Sequence, residues 1–505
     1  MIRGWALGFG LPHLGCRPDE EAIAAIAGGL YGGDLNPHSF TYPPLFMLAV
    51  AGVMRAIDLG QRILAIVDIH PGIQSTANVV KYLIARVLSA ASGVATVAVL
   101  YHVATRLAGR RVGLASAAML AFAFLHVRDS HFGVTDVPMS FMLLAAFSWV
   151  ARLSASGATR DLLGAAVLAG LATATKYNAA LVAVPAAFAL LTEPADRPIG
   201  RRGWRVVLFG ALMLSTFLLV APFSVVEYRQ LFEELRLVSQ HLSGGHGPDL
   251  GRGWTYHLTT TLRYGLGLPL LVASLGGLLL LLYVQPRVGI LVALFPATYY
   301  AVAGGGYTVF TRHMQPMVPF LCLTAGYGVT KAAEWLAAAS CRPAWSAGVA
   351  ALGVAAVLMP SVLSDVRFDL LLARPYSRLL ARRWIEARFP EGTTIAQPGP
   401  GSGRVITYSD NEVPYVAAEL TSDGPRPDLV VVQSSPLHGN EWPGEGHPLL
   451  AEEYERRLTM EVTEPDPGNV YDRQDDFYLP MSGFKRVERP GPNLRIYVRR
   501  GIVEP

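Results

Sequence analysis

Four short clusters of ionisable residues carry the candidate chemistry of this 505-residue chain. The first is Arg17-Pro18-Asp19-Glu20-Glu21. A carboxylate such as Asp19 or Glu20, held beside a bilayer surface where water is scarce, can act as general base toward a hydroxyl. The same acids would equally suit the first turn of the helix-like AIAAIAGGLYGG that follows, with Pro18 marking its start. The second cluster is His126-Val127-Arg128-Asp129-Ser130-His131, followed by Thr135-Asp136-Val137-Pro138. Read blandly, it is a polar loop with Asp136 capping the next helix. Read functionally, His126, Arg128 and His131 bind substrate while Asp136 shares in catalysis. Its His and Asp spacing could hold a divalent ion, but it carries no recognisable metal motif. The third cluster ends in Lys176-Tyr177-Asn178, where Lys176 either meets an anion or reaches to the membrane interface. The fourth is Thr311-Arg312-His313-Met314-Gln315-Pro316. Cys16, Cys322 and Cys341 are too few and too scattered for a disulfide framework or a zinc site.

The elements that must position these groups follow from composition. Hydrophobic residues make up 52% of the chain and charged residues 16%, with a mean hydropathy of +0.35. A soluble domain carries about 25% charged residues, which excludes an ordinary cytosolic enzyme. The charge is also unevenly distributed. Residues 1–364 hold 25 basic and 16 acidic residues, whereas residues 365–505 hold 17 and 22. This predicts a membrane body over 1–364 and a polar domain over 365–505. With a net charge of only +4, nucleic acid is not an expected partner.

Ten apolar stretches approach the length of about 20 residues that a membrane crossing needs: 82–107, 112–127, 136–151, 161–176, 178–192, 206–223, 266–284, 288–303, 314–333 and 345–363. Basic residues gather at every second junction: Arg106, Arg110 and Arg111; Arg152 and Arg160; Arg197, Arg201, Arg202 and Arg205; Arg287; Lys331 and Arg342. Basic loops stay on the cytoplasmic side, so the four clusters and residues 365–505 are expected outside. The first external loop then runs over 17–81, and its apolar stretch 42–58 is expected to lie on the membrane surface or re-enter it. The sixteen residues before Arg17 are too few to cross, so a full first span is expected upstream of them. Arg312 and His313 break the rule that cations stay inside, and an external cation near the bilayer suits a lipid phosphate.

The tail predicts an amphipathic helix over 375–389, with Leu379, Leu380, Trp384 and Ile385 at helical spacing. TTIAQ, DLVVVQ and LRIYVRR read as short strands. The acids Asp472, Asp475 and Asp476 are expected on the surface, and acceptor recognition is the expected role of this domain. The fold class is therefore an all-α polytopic membrane protein of about ten to eleven transmembrane helices, carrying a small C-terminal α/β extracytoplasmic domain.

In their order and sidedness, RPDE (17–20), NPHSFTYPPL (36–45), ARVLSAASG (85–93), HVRDSHFGVTDVP (126–138), GLATATKYN (170–178) and TRHMQPMVPFL (311–321) resemble the membrane glycosyltransferases of the GT-C type that use polyprenyl-phosphate sugars. The likeness is to the family 39, protein O-mannosyltransferase-like group, which includes the aminoarabinose transferases of lipid A and the galacturonosyltransferases of lipopolysaccharide core. It covers about the first 330 residues. The resemblance implies a multi-pass protein of the inner cell membrane that transfers a sugar, with inversion, from a polyprenyl-phosphate donor to an extracytoplasmic glycan, lipid or protein. Asp19 matches the catalytic carboxylate, accompanied by Glu20, and Asp136 the second acidic position. Lys176 and Arg312 match cations that face the lipid phosphate. His313 stands where a tyrosine is more usual. No cofactor is implied with certainty, and a divalent metal stays open. The alternative is a noncatalytic component, or a lipid or solute transporter, of a cell-envelope polysaccharide system. A transporter would carry charges at mid-depth and internal repeats, and neither is visible in the sequence.

Overall fold

The computed structural model describes residues 2–66, 77–193, 198–398, 405, 415–421, 424–437, 446–475 and 477–502. By contact the chain divides into two units. One gathers Met1–Gly4, Ala25–Ile69 and Ile84–Asp365; the other gathers Trp5–Ala24, His70–Leu83 and Val366–Pro505.

The first unit is helical. After α1 (Glu20–Gly32) and α2 (Leu45–Ile66) come α3 (Ala77–Ala108), α4 (Arg110–Ala121), α5 (Phe124–Asp129), α6 (Asp136–Ser156) and α7 (Thr159–Thr173). A 3-10 turn over Tyr177–Val182 leads into α8 (Ala183–Leu191) and α9 (Ile199–Val220). Then follow α10 (Phe223–Val226), α11 (Tyr228–Gly244), α12 (Gly253–Tyr256), α13 (Arg263–Leu266), α14 (Leu268–Val284), α15 (Pro286–Ala303), α16 (Val318–Ala339) and α17 (Ser346–Leu372). All ten apolar stretches fall on helices. Among the described residues, five helices are long and apolar enough to cross a membrane, or six if α12–α14, bent by 111° at a break, counts as one span. The difference from ten has a local cause, since several stretches are broken. The run 112–127 divides into α4 and α5 at Phe122–Ala123, and 178–192 begins as a 3-10 turn. The stretch 42–58 forms most of α2, which is not among the helices that meet the length and apolarity of a span.

Small residues let these helices approach closely. A Cβ on Gly277 of α14 would meet the Thr324 carbonyl of α16, and one on Gly326 would meet Ser116 of α4. Across the centre, Phe147, Phe320, Phe295 and Tyr299 form a chain of rings with centroids 4.9, 5.2 and 5.5 Å apart. Such aromatic pairs join three helices into one core. Gly157, in the left-handed conformation at φ 61°, ends α6 as a glycine C-cap does.

The second unit is built on a five-stranded sheet, ordered β2-β1-β3-β5-β4. The strands are β1 (Thr394–Ala396), β2 (Val416–Ala418), β3 (Leu429–Ser434), β4 (Tyr454–Met460) and β5 (Asn493–Arg499). β1 runs parallel to β2 and β3, while β5 is antiparallel to β3 and β4. α18 (Ser377–Glu386) places Ala381 and Ile385 against Leu429 and Val431. Val430 and Val432 pack on the other face with Leu450 of α19 (Pro448–Glu453) and Tyr454. A strand covered on both sides reads as a continuous apolar run, which is why DLVVVQ was recognisable. β4, with the sequence YERRLTM, carries mostly exposed side chains on an edge strand, a usual way to protect an edge and a weak signal in sequence.

Candidate functional site

In the helical unit, the second and third clusters meet. Asp136 opens α6, where the helix N-terminus favours a carboxylate. Lys176 follows the end of α7, and its ammonium donates to Asp136 Oδ1 at 2.6 Å. Asp136 is nearly buried, and the Lys176 side chain keeps 16% exposure. The Lys176 Nζ lies 6.0 Å from the Tyr42 ring centroid, within cation–π range. Beside this pair, Asn178 donates to the Tyr299 hydroxyl at 3.0 Å, and that hydroxyl donates to the His313 carbonyl at 2.6 Å. The aromatic core thus ends in a hydrogen-bonded relay that fixes the Thr311–Met317 turn.

On that turn, the Arg312 guanidinium stacks 4.3 Å over the Phe310 ring. The His313 ring lies 5.4 Å from Phe310 and 6.4 Å from His257. His241 and His246 also border Phe310. Among the described residues no group of three or more His, Cys, Asp or Glu side chains is placed to hold a metal ion.

The rest of the second cluster faces inward. His126, Arg128 and His131 are fully buried. Arg3 donates to His126 Nδ1 at 3.0 Å and to the carbonyls of Leu120 and Ala121. Arg128 reaches Asp129 at 3.2 Å and the Thr311 hydroxyl at 2.9 Å, so it ties α5 to the Arg312 turn. His131 Nδ1 donates to the Val127 carbonyl at 2.9 Å, and burial pushes its imidazole down to about 4. Through these contacts the three residues brace the loop between α5 and α6. Arg3 itself gave no sequence signal, because its partners lie more than a hundred residues away.

The turn-rich segment 33–44 behaves as its residue types dictate. Asp34 accepts from the Asn36 N–H and Asn36 from the His38 N–H, the local turns that Asx residues favour. It then docks on α11. Asn36 bonds Glu227, and Glu234 accepts from the Phe40 N–H at 2.7 Å and the Ser39 and Thr41 hydroxyls. Burial would raise the Glu234 carboxyl, but these bonds and one from Gln230 outweigh it and hold it below its ordinary range.

In the sheet-bearing unit stands the first cluster. Arg17 is fully buried and pairs with Asp475, with the Phe477 ring 5.8 Å from its guanidinium. Asp19 is half-buried at φ 69°, a left-handed conformation that aspartate tolerates better than most residues. Its carbonyl accepts the Ile23 N–H at 3.1 Å, and Glu20 is buried at the start of α1. Burial raises the neighbouring Glu21 carboxyl against the opposing pull of Arg378. Asp472 and Asp475 correct the expectation of surface acids, since both are 1% exposed. Asp476 lies outside the described residues.

Residues 78–224 match the sequence pattern of the dolichyl-phosphate-mannose-protein mannosyltransferases. No curated protein sequence matches the chain. The structure of ArnT from Cupriavidus metallidurans in the apo state is similar with a TM-score of 0.52 at 15% identity, over 79% of this chain and 81% of that one. The same protein bound to undecaprenyl phosphate gives 0.50 at 17% identity, with the same coverage. The chain therefore has the fold of the GT-C membrane glycosyltransferases, and through residues 78–224 it carries the mannosyltransferase-like pattern that its motifs resemble.

Proposed function

We propose that this chain is an integral membrane glycosyltransferase that moves a sugar from a polyprenyl-phosphate donor to an extracytoplasmic acceptor, with inversion. The observation that carries the reading is the Lys176–Asp136 pair, a part-exposed ammonium at the end of one helix held by a carboxylate at the start of another. Such a cation is oriented yet reachable, which is what a lipid phosphate needs. The related ArnT structure with undecaprenyl phosphate supports the donor class.

In the proposed reaction Asp19 takes the proton of an acceptor hydroxyl or amide while its oxygen or nitrogen attacks the anomeric carbon. The bond from that carbon to the phosphate oxygen breaks, and the polyprenyl phosphate leaves with the electron pair. Lys176 and Arg312 stabilise its charge, an electrostatic contribution that is large where water is excluded. Asp136 keeps the Lys176 ammonium in place, and Glu20 accompanies the base. Attack from the face opposite the leaving phosphate inverts the centre. The domain over 365–505 is assigned to the outer side of the inner membrane, with 1–364 as the catalytic body.

The test offers undecaprenyl phosphate carrying radiolabelled mannose, galacturonic acid or aminoarabinose to membranes from cells with and without the chain. Label moving to an acceptor only where the chain is present is the expected result. Equal labelling in both membranes for all three donors would count against the enzyme and favour a noncatalytic or transport role.

A further inference from the structure

The acidic turn 18–21 is held by residues more than 350 positions away in the chain. Arg17, one residue before it, is 0% exposed and pairs with Asp475. Two residues further back, the Gly15 carbonyl accepts from Arg378 Nη1 at 3.3 Å. The other arm of Arg378 donates to Gln433 Oε1 at 3.0 Å and to the Tyr478 hydroxyl at 2.9 Å. Gln433 lies on β3, so the sheet itself anchors this arginine. His13 stacks on Tyr376 with centroids 6.2 Å apart, and Phe477 packs edge-on against Phe9. The segment is thus gripped along its length, and just beyond the grip stand Pro18, with its fixed φ, and Asp19 in its left-handed conformation.

We propose that Arg378 and Asp475 are positioning residues whose work is to set the orientation of the Asp19 carboxylate. The inference rests on the reading of Asp19 as the base. It gives the sheet-bearing domain a part in the chemistry that acceptor recognition does not cover. A buried ion pair adds little stability over an apolar pair of similar volume, and its better-attested use is to fix a register. Arg378 holds Gly15 and Asp475 holds Arg17, and with φ of Pro18 set by its ring, little freedom remains before Asp19. Such precision matters because a misplacement of about 1 Å can lower turnover by about 10²-fold.

The test compares full-length variants in one membrane preparation. Arg17→Met/Asp475→Leu removes both charges and fills the same space, so the chain should remain folded with an unchanged melting temperature. Its kcat for label transfer is expected to fall by about 10²-fold, while the KM for the donor moves by less than about twofold. Arg378→Lys keeps the charge but cannot bridge Gly15, Gln433 and Tyr478 together, and a loss of about tenfold in kcat is expected. Asp475→Glu should recover much of the turnover that Asp475→Asn loses. In an Asp19→Asn background neither change should cost more. Wild-type kcat in both the apolar pair and Arg378→Lys would overturn the proposal. Amide exchange over residues 17–24 reads the grip without activity and should quicken in both variants, and unchanged exchange would also overturn it. A wild-type chain that transfers no label would defeat the functional reading alone, and the exchange measurement would still decide the grip.

Discussion

The two units each hold an ion pair, and the pairs are built differently. Lys176–Asp136 joins two helix ends and leaves the lysine side chain 16% exposed beside an aromatic ring. Arg17–Asp475 is closed, with both side chains at 1% exposure or less. Lysine is a flexible point charge with three rotatable donors, whereas arginine is a planar fork that fixes geometry. In the proposed reaction the open pair suits a group that exchanges its partner for a phosphate. The closed pair suits a joint that must never move.

The comparison can be broken at either pair, and the open one should show the largest effect. Lys176→Ala is expected to lower label transfer by about 10²–10³-fold, the loss typical of removing one group that stabilises developing negative charge. Circular dichroism and membrane insertion should stay as in the wild type. Transfer within about threefold of wild type would make Lys176 a mere interfacial anchor. At the closed pair, the single change Asp475→Asn strands a buried guanidinium and should cost about 3–5 kcal/mol in stability, read by thermal unfolding. A much smaller loss would show that water reaches Arg17.

A third difference is in pH. His131 is buried with its imidazole pushed down to about 4, against 6.5 in an open chain. Between these values the unfolded chain binds more protons, so stability is complete above about pH 6.5 and falls as the pH drops toward 4, by about 3 kcal/mol. Unfolding followed across this window should show the slope, and His131→Leu should flatten it. The smallest effect belongs to Glu234. Glu234→Gln loses the charge-assisted bonds to Ser39, Phe40 and Thr41, at about 1–2 kcal/mol. The result should be faster amide exchange over residues 36–44 with little change in global melting.

Much of this was legible in the sequence because it is local. Apolar runs fall on helices, Asx residues make their own turns, and DLVVVQ alternates its burial between two covered faces. What was missed is non-local. Asp475 reads as one more acid in a Pro- and Gly-rich stretch, since its partner is Arg17 at the other end of the chain. Arg3 looks like an N-terminal cation until α4 and α5 fold around it. The burial of His126, Arg128 and His131 was not legible either, because sequence shows charge but not the direction in which a side chain points. The contact of α11 with the turn-rich segment is equally non-local, since Gln230 and Glu234 bond residues about 190 positions earlier. The pairing of Lys176 with Asp136 needed the fold, although both residues were recognised by type and sidedness.

The central claim is that Asp19 is the base of a transfer from polyprenyl phosphate. The most direct measurement reconstitutes the purified wild-type chain and Asp19→Asn in liposomes and follows radiolabel leaving the undecaprenyl-phosphate sugar that the wild type uses. Asp19→Asn is expected to bind undecaprenyl phosphate as the wild type does while losing transfer by about 10²–10⁴-fold, the range of a general base. Transfer by Asp19→Asn at the wild-type rate would contradict the account.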